Sequence, residues 1–402
     1  MNSSIEHKEK TIFAERMNNI PRSFIREILK VTAQPDIISF AGGLPNPLSF
    51  PAKEIREATL SLLTEESSSV LQYAVSEGYL PLREFLAKRY TDQGIPVSPD
   101  EILITNGSQQ GLDLCGKIFL DKGDRVLLES PSYLGAIQAF SAYQPEFHSV
   151  TLQPDGVDTT ELSEILWEHE IKLFYGIPNF QNPTGISYSE EKRKKTAELL
   201  QQHATIFIED DPYGEIRFSG QHLPPIKKFL PDQTILLGSF SKTIAPGLRM
   251  GWVVAKKEII EKMIVAKQAC DLHSNFLSQR IIHRLLSEHD MEWHILKITQ
   301  LYSKQKDFMI DMIRKYFPEE IQYTNPEGGM FIWLTLPLYM DAYELLEEAS
   351  KQKIAFVPGQ TFFLNGKGHN TIRLNFTNSG ETEMEAGISK LGRLFYRKMV
   401  EV

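Results

Sequence analysis

The chain has 402 residues, of which 42% are hydrophobic, and its formal net charge at pH 7 is −9. This length allows a large buried core and roughly two domains. The acidic balance argues against nucleic acid as a partner, because binding to phosphates along a nucleic acid requires a basic face.

The cysteines and the apolar stretches indicate the cellular compartment in which the protein works. Cys115 and Cys270 have no metal-ligand or redox spacing, and we expect two reduced, buried thiols. The first ten residues are polar and carry no apolar signal-peptide region. No stretch of the sequence approaches the roughly 18 uninterrupted apolar residues of a membrane helix. The sequence therefore predicts a cytoplasmic protein with no membrane partner.

Changes in sequence pattern predict an N-terminal arm followed by two domains. Residues 1–45 form the arm, with a short helix over 21–30 and a loop rich in Gly and Pro at its end. Residues 46–290 form the larger domain, and residues 291–402 form a smaller α+β domain. This smaller domain begins with a long helix without proline over 291–316 and contains strands near 353–357 and 371–376.

From about residue 100 the chain alternates between short apolar runs and helical periods. Predicted strands cover 102–105, 125–129, 146–152, 172–177, 205–209, 234–239 and 251–255. Predicted helices between them include 109–120, 132–143, 160–167 and 189–203. This alternation predicts an α/β fold with a mostly parallel sheet, in which sites collect at the carboxyl ends of the strands.

Ser108 and Gln109 stand where the strand over 102–105 gives way to a helix. Backbone N–H groups at that helix start, together with the Ser108 hydroxyl, could cradle a phosphate. An ordinary N-cap serine is the alternative. Neither Gly-x-Gly-x-x-Gly nor a Walker lysine follows, so the sequence favours neither a dinucleotide nor ATP.

Two further strand ends carry groups suited to a flat cofactor. Tyr133 follows the strand over 125–129 and could stack on a planar ring, with a core aromatic as the alternative. Asn182 lies in an Asn-Pro-Thr-Gly turn directly after the strand over 172–177, where its side-chain amide is free to donate a hydrogen bond.

Lys242 and an aspartate at a neighbouring strand end indicate the chemistry. A pyridoxal phosphate enzyme holds the aldehyde as a lysine imine and keeps the pyridine nitrogen protonated with a carboxylate. We assign that carboxylate to Asp210, because Asp-x-x-Tyr places Tyr213 where it can donate to the cofactor's phenolic oxygen. Helix capping is the alternative role, which would suit Asp211.

The residues around Lys242 strengthen this interpretation. Ser239, Ser241 and Arg249 would complete a phosphate cup, since the arginine fork suits a dianion. Partial burial and nearby positive charge would lower the pKa of Lys242 toward the working range. A lone lysine is normally a solvated surface charge, but a lysine in this motif directly after a buried strand is not.

Arg373 stands in an otherwise apolar predicted strand. A buried arginine is costly unless it is paired. The α-carboxylate of a substrate is a suitable bidentate partner, and an internal salt bridge is the alternative.

Together these motifs resemble, in order and spacing, those of the fold-type I aminotransferases over roughly residues 20–400. The chain is most similar to the 2-aminoadipate/kynurenine aminotransferase branch, on the stretches 23–30, 38–45 and 72–74. The resemblance implies a fold-type I pyridoxal-phosphate transferase with a large domain around a mostly parallel central sheet and a smaller α+β domain.

The resemblance also implies a function and further site residues. The reaction would be a ping-pong transfer of an amino group from a 2-aminoadipate-like, aromatic or branched-chain L-amino acid to a 2-oxo acid, with 2-oxoglutarate expected. Tyr73 would reach the cofactor phosphate of the other subunit in an obligate homodimer with shared active sites. Gly43 and Asn182 would contact substrate beside Arg373, and Arg26 would meet a side-chain carboxylate.

Two other functions share these motifs. A pyridoxal-phosphate-dependent carbon–sulfur β-lyase would also retain an α-carboxylate arginine, so Arg373 does not discriminate against it. A sensor or regulatory module is disfavoured, because the resemblance begins near residue 20 and leaves no room for a winged-helix domain. The histidines have no metal-ligand spacing, so we expect no metal.

Overall fold

The computed structural model describes residues 12–18, 20 and 36–401. The predicted helix over 21–30 and Arg26 lie outside the described residues. The α-helices in chain order are α1 Ala52–Glu65, α2 Ser67–Val70, α3 Leu80–Asp92, α4 Ser108–Phe119, α5 Leu134–Ser141, α6 Thr159–Glu168, α7 Glu190–Leu200, α8 Lys257–Gln268, α9 Phe276–Glu288, α10 Met291–Tyr316, α11 Ala342–Lys351 and α12 Glu381–Val400. The strands are β1 Ile38–Ser39, β2 Ile102–Thr105, β3 Arg125–Ser130, β4 Glu146–Gln153, β5 Gly156–Val157, β6 Ile171–Gly176, β7 Ile206–Asp211, β8 Thr234–Ser239, β9 Gly251–Val254, β10 Gln322–Tyr323, β11 Phe331–Thr335, β12 Ile354–Ala355, β13 Val357–Pro358 and β14 Thr371–Asn375.

An eight-stranded sheet forms the centre, in the order β2-β9-β8-β7-β6-β3-β4-β5. The neighbours from β8 to β4 run parallel, whereas β2, β9 and β5 pair antiparallel. Successive residues of β9 point to opposite faces, so Val253 packs into one hydrophobic core and Trp252 and Val254 into another. The predicted α/β fold with a mostly parallel central sheet is confirmed.

A second, four-stranded antiparallel sheet has the order β10-β11-β14-β13. The helix α10 precedes it and begins where predicted, because the Asp290 side chain accepts the backbone N–H of Trp293 at 2.9 Å. The division into an arm, a larger and a smaller domain, with boundaries at 45/46 and 290/291, stays a prediction.

The segment after β1 links the two sheets. β1 pairs in parallel with β12, and the backbone N–H of Asn375 in β14 donates to Phe40 O at 2.8 Å. The strand predicted over 353–357 is divided in two, because β12 pairs with β1 whereas β13 pairs with β14. The carbonyl oxygen of Gly43 in turn accepts a hydrogen bond from the Nζ of Lys242 just after β8, so residues 40–43 lie beside the end of the central sheet.

Two other features bear on the predictions. Cys115 is buried, but Cys270 is exposed just after α8, so the expectation of two buried thiols is wrong for Cys270. Its position after the last turn of a surface helix, which its apolar neighbours in sequence do not reveal, explains the difference. Over the described part of the chain, no helix has the length and apolar character needed to cross a bilayer.

Candidate active site

One cavity of about 310 Å³ gathers residues from the carboxyl ends of the central strands and from the second sheet. Of the fourteen residues predicted for the site, twelve line it: Gly43, Ser108, Gln109, Tyr133, Asn182, Asp210, Tyr213, Ser239, Ser241, Lys242, Arg249 and Arg373. The strand–helix alternation brings most of them together because the central strands end at the same edge, whereas Gly43 follows β1 and Arg373 lies in β14 of the second sheet.

The start of α4 forms a backbone cradle at one end of the cavity. Gly107 is its N-cap, with φ at 75°, so Ser108 is the first helical residue and the alternative of an N-cap serine is wrong. A Cβ at Gly107 would come within 2.8 Å of the Arg249 guanidinium. The positive φ favours glycine at this position, and the helix start and the guanidinium both favour an anion there.

The serines of the predicted phosphate cup lie at the end of β8. Ser239 is buried at the last position of the strand, and its hydroxyl accepts the backbone N–H of Ser241 at 3.1 Å. This bond forms the turn that leads to Lys242 and directs both serines to the cavity that Arg249 also lines.

Asp210 is 2% exposed and lies next to the end of β7. Its Oδ2 accepts the hydroxyl of Tyr175 at 2.9 Å, whereas its Oδ1 is buried and has no hydrogen-bond partner among the described residues. Burial raises the pKa of Asp210 to about 7. Asp211 instead accepts the side-chain amide of Asn179 and the backbone N–H of Gly214, both at 2.9 Å, and does not line the cavity.

Lys242 is partly buried and its Nζ donates to the carbonyl oxygen of Gly43 at 2.8 Å. Burial, followed by the charges of Arg373 and Arg249, lowers the pKa of Lys242 to about 8. This agrees with the expected direction, and it makes a neutral, nucleophilic amine accessible near neutral pH.

Arg373 is 1% exposed and lies between two aromatic rings. Its guanidinium carbon is 4.3 Å from the ring centroid of Phe331 and 5.1 Å from that of Phe362. Nη1 donates to Asn182 Oδ1 at 2.8 Å and Nη2 donates to Ala41 O at 2.6 Å. Within the described residues Arg373 forms no salt bridge and its Nε has no partner, so a carboxylate from outside the chain suits it.

Aromatic side chains complete the lining. Tyr133 donates to Gln109 Oε1 at 3.4 Å, and Gln109 Nε2 donates to Gly135 O at 2.8 Å. Tyr213 is buried and its ring meets Phe331 edge to face at a centroid distance of 6.1 Å. These contacts hold two phenol rings in the lining of the cavity.

Tyr73 does not line the cavity. Its side chain is 79% exposed, and its ring meets that of His273 edge-on at 5.9 Å. Arg26, the other predicted site residue outside the lining set, lies outside the described residues.

Sequence reasoning missed Tyr175, Phe331 and Phe362. The partner of Asp210 depends on how β6 and β7 are paired. Of the two rings around Arg373, Phe331 comes from β11 and Phe362 from a 3-10 turn after β13. An apolar strand sequence gives no sign of which aromatic residue faces a charged neighbour.

The lining fits pyridoxal phosphate at three points. The cradle at Gly107 suits its phosphate, the buried unpaired oxygen of Asp210 suits its ring nitrogen, and the amine of Lys242 suits its aldehyde. No single one of these features is specific, but their presence in one cavity is.

Comparisons with known proteins agree with this fit. A family model described as "Aminotransferase class I and II" matches residues 35–391. The chain is 41% identical to aromatic-amino-acid aminotransferase 1 of Thermococcus litoralis, covering 96% of this chain and 94% of that protein. It is 42% identical to 2-aminoadipate transaminase of Thermus thermophilus, covering 95% and 96%.

A solved structure extends the likeness to the whole fold. The α-aminoadipate aminotransferase of Thermus thermophilus, complexed with N-(5'-phosphopyridoxyl)-L-leucine, superposes with a TM-score of 0.91 at 40% identity, covering 97% of this chain and 98% of that one. The chain belongs to the class I and II aminotransferases. It is a pyridoxal-phosphate-dependent transaminase near the aminoadipate/kynurenine branch, and neither the lyase nor the sensor alternative is favoured.

Proposed function

We propose that the cavity is the active site and that Lys242 binds the cofactor covalently. Asp210 would hold the ring nitrogen, and Tyr213 and Asn182 would donate to the phenolic oxygen. Tyr133 would stack on the ring. The phosphate would be bound by Ser108, Gln109, Ser239, Ser241 and Arg249.

One observation carries this proposal: a buried carboxylate oxygen without a partner and an amine with a lowered pKa line the same cavity. Asp210 Oδ1 is buried without a partner in the described residues, and Lys242, with a pKa of about 8, lines the same cavity. A buried polar atom without a partner costs stability, so it indicates a ligand that supplies the missing bond.

The chain's own residues would perform three tasks in the reaction. When bound, pyridoxal phosphate supplies an aldehyde that exchanges the amino group and a ring that takes up the electron pair left at Cα. Lys242 Nζ would accept the proton from the substrate Cα and deliver it to the carbon of the cofactor that carried the aldehyde, so that the amino group stays with the cofactor. Asp210 keeps a proton at the ring nitrogen, and Arg373 binds the α-carboxylate so that the Cα–H bond is held in position.

The lining of the cavity supports a proposed substrate class. Leu44, Pro45, Tyr133 and Phe331 give the cavity an apolar side, which suits aromatic and branched-chain donors. Its cations within the described residues are Lys242, Arg249 and Arg373, each with a task already assigned. A 2-aminoadipate-like side chain would therefore need a further cation, and we propose Arg26 for it.

The relatives' names support this range. They describe an aromatic-amino-acid aminotransferase, a 2-aminoadipate transaminase and a complex containing a leucine adduct. We propose 2-oxoglutarate as the acceptor, with Gly43 near the substrate carboxylate beside Arg373.

We propose a homodimer in which Tyr73 reaches the partner's cofactor phosphate. The segment 71–75 exposes Leu71, Tyr73 and Val75 in succession, and an exposed apolar stretch of this kind marks an interaction surface. A cytoplasmic location is also proposed, and the free state of both cysteines supports it.

An amino-donor screen tests the function. The purified holoenzyme is mixed with each donor, and absorbance follows conversion of the cofactor to its amine form, with and without 2-oxoglutarate. We expect aromatic, branched-chain and 2-aminoadipate donors to convert the cofactor, and 2-oxoglutarate to restore it. Release of ammonia and pyruvate from cystathionine without any 2-oxo acid would contradict the proposal.

A further inference from the structure

An ion pair between a buried lysine and a partly exposed aspartate lies behind the phosphate cradle and has no task in the reaction described above. Lys267, in the last turn of α8, is 0% exposed. Its Nζ donates to both carboxylate oxygens of Asp271 at 2.9 Å, to Gln110 Oε1 at 3.0 Å and to Ser274 Oγ at 3.0 Å. All three ammonium protons therefore have acceptors, and the ammonium makes no contact with the cavity.

The same cluster fixes the turn between β2 and α4. Asp271 Oδ2 accepts the side-chain amides of Asn106 at 2.6 Å and Gln110 at 2.8 Å. Gln110 Oε1 accepts the backbone N–H of Asn106 at 2.9 Å, and Ser274 Oγ donates to Ile104 O at 3.2 Å. The cluster around Lys267 therefore binds the turn through the backbone of Ile104 and Asn106 and through the Asn106 side chain.

Asn106 directly precedes Gly107, the N-cap of the cradle, and its carbonyl oxygen lies 3.4 Å from Arg249 Nη2. A shift of Asn106 would therefore move the backbone N–H groups of the cradle and the guanidinium that faces them. Anion binding by backbone N–H groups depends on their direction, so the affinity for phosphate depends on this turn.

We propose that Lys267 and Asp271 are positioning residues for the cofactor phosphate. The pair has no net charge, so it acts through the geometry of the turn and not by attracting the anion. A partly buried ion pair contributes little to the free energy of folding compared with apolar side chains of similar volume. We therefore assign its role to the hydrogen bonds that it makes with the turn. The inference rests on the proposed function, because it requires the phosphate to bind at this cradle.

The test compares a ligand that has the phosphate with one that lacks it. Dissociation constants of pyridoxal 5'-phosphate and of pyridoxal are measured on the apoprotein of the wild type and of the double variant Lys267→Met/Asp271→Leu. We expect the affinity for the phosphorylated ligand to fall about tenfold or more, equivalent to roughly one charge-assisted hydrogen bond. Affinity for pyridoxal should stay near the wild-type value.

If the pair had only a structural role, the double variant would bind both ligands more weakly to the same extent, or only its melting temperature would fall. The matched control is Lys194→Met/Glu190→Leu, which removes an exposed (i, i+4) ion pair of α7, far from the cradle in the chain. It should leave both dissociation constants unchanged. Should the double variant not fold, Gln110→Met removes the middle of the cluster and should give the same selective loss.

A second variant separates geometry from charge. Asp271→Asn makes the neighbourhood more positive but sets an amide against the Lys267 ammonium. We expect weaker binding of pyridoxal 5'-phosphate, whereas an electrostatic role would predict tighter binding. Failure of the wild type to take up the cofactor contradicts the proposed function and this inference with it, while normal uptake with an unchanged ligand ratio in the variants contradicts the inference alone.

Discussion

Asp210 and Asp211 are adjacent in sequence but differ in surroundings. Successive side chains of a strand point to opposite faces, so Asp210 lines the cavity while Asp211 fixes the turn at Gly214. The Asp-x-x-Tyr spacing predicts that Asp210 faces the cavity, and Asp210 lines it. The role of Tyr175 could not be predicted, because it depends on the neighbouring strand.

Replacing Asp210 with asparagine should abolish most of the activity. An amide cannot hold a proton at the ring nitrogen, and loss of one such electrostatic contact costs about 10²–10³ in kcat. Steady-state kinetics at saturating cofactor measure this loss. Asp211→Asn is the matched control and should keep kcat within about tenfold, since its carboxylate does not line the cavity; an equal loss in both variants would contradict the assignment.

The pKa of Lys242 predicts a pH dependence for cofactor uptake. Only the neutral amine attacks an aldehyde, so the rate of attachment to the apoprotein should rise with pH and level off near pH 8. Stopped-flow absorbance measures this rate, and a continued rise toward pH 10.5, the ordinary value for lysine, would contradict the expectation. Because the folded apoprotein binds fewer protons than the unfolded chain between these values, this group makes stability rise with pH there.

For the helices and strands, the sequence predicted the bounds of the elements better than the side-chain contacts between them. The bounds of β2, β8 and α10 are as predicted, because buried apolar runs and a capping aspartate mark them. The rings of Phe331 and Phe362 around Arg373 were not predictable, since they depend on how β11 and β14 pair and on a turn after β13.

Arg373→Lys should separate substrate binding from cofactor binding. A lysine keeps the charge but loses the fork and the stacking between two rings, so we expect KM for the amino acid to rise about tenfold or more. The dissociation constant of the cofactor should change little, because Arg373 is assigned to the substrate carboxylate. Equilibrium titration together with initial rates measures both quantities, and an unchanged KM would count against this assignment.

At the scale of the whole molecule, the strand–helix alternation predicted the central sheet and the site at its carboxyl edge. The link through β1, which brings Ala41 O to Arg373 and Gly43 O to Lys242, was not predictable from a loop rich in Gly and Pro. The proposed homodimer would cover the exposed side chain of Tyr73.

Shared active sites predict complementation between two inactive variants. Lys242→Ala and Tyr73→Ala should each be impaired, but a mixed dimer of the proposed kind would contain one site with both native residues. After subunit exchange we expect about a quarter of wild-type activity, because half of the dimers are mixed and each has one intact site. Activity that stays at the sum of the two separate variants would contradict the shared site.

The most direct test of the central assignment identifies the lysine that holds the cofactor. Lys227 is also buried with a pKa lowered to about 8, but its Nζ donates to Pro231 O at 3.0 Å and Thr234 O at 2.9 Å and does not line the cavity. The holoenzyme is reduced with borohydride, digested and mapped by mass spectrometry. We predict that the cofactor is attached to Lys242, with Lys227 unmodified; attachment at Lys227 or at any other lysine would contradict the account.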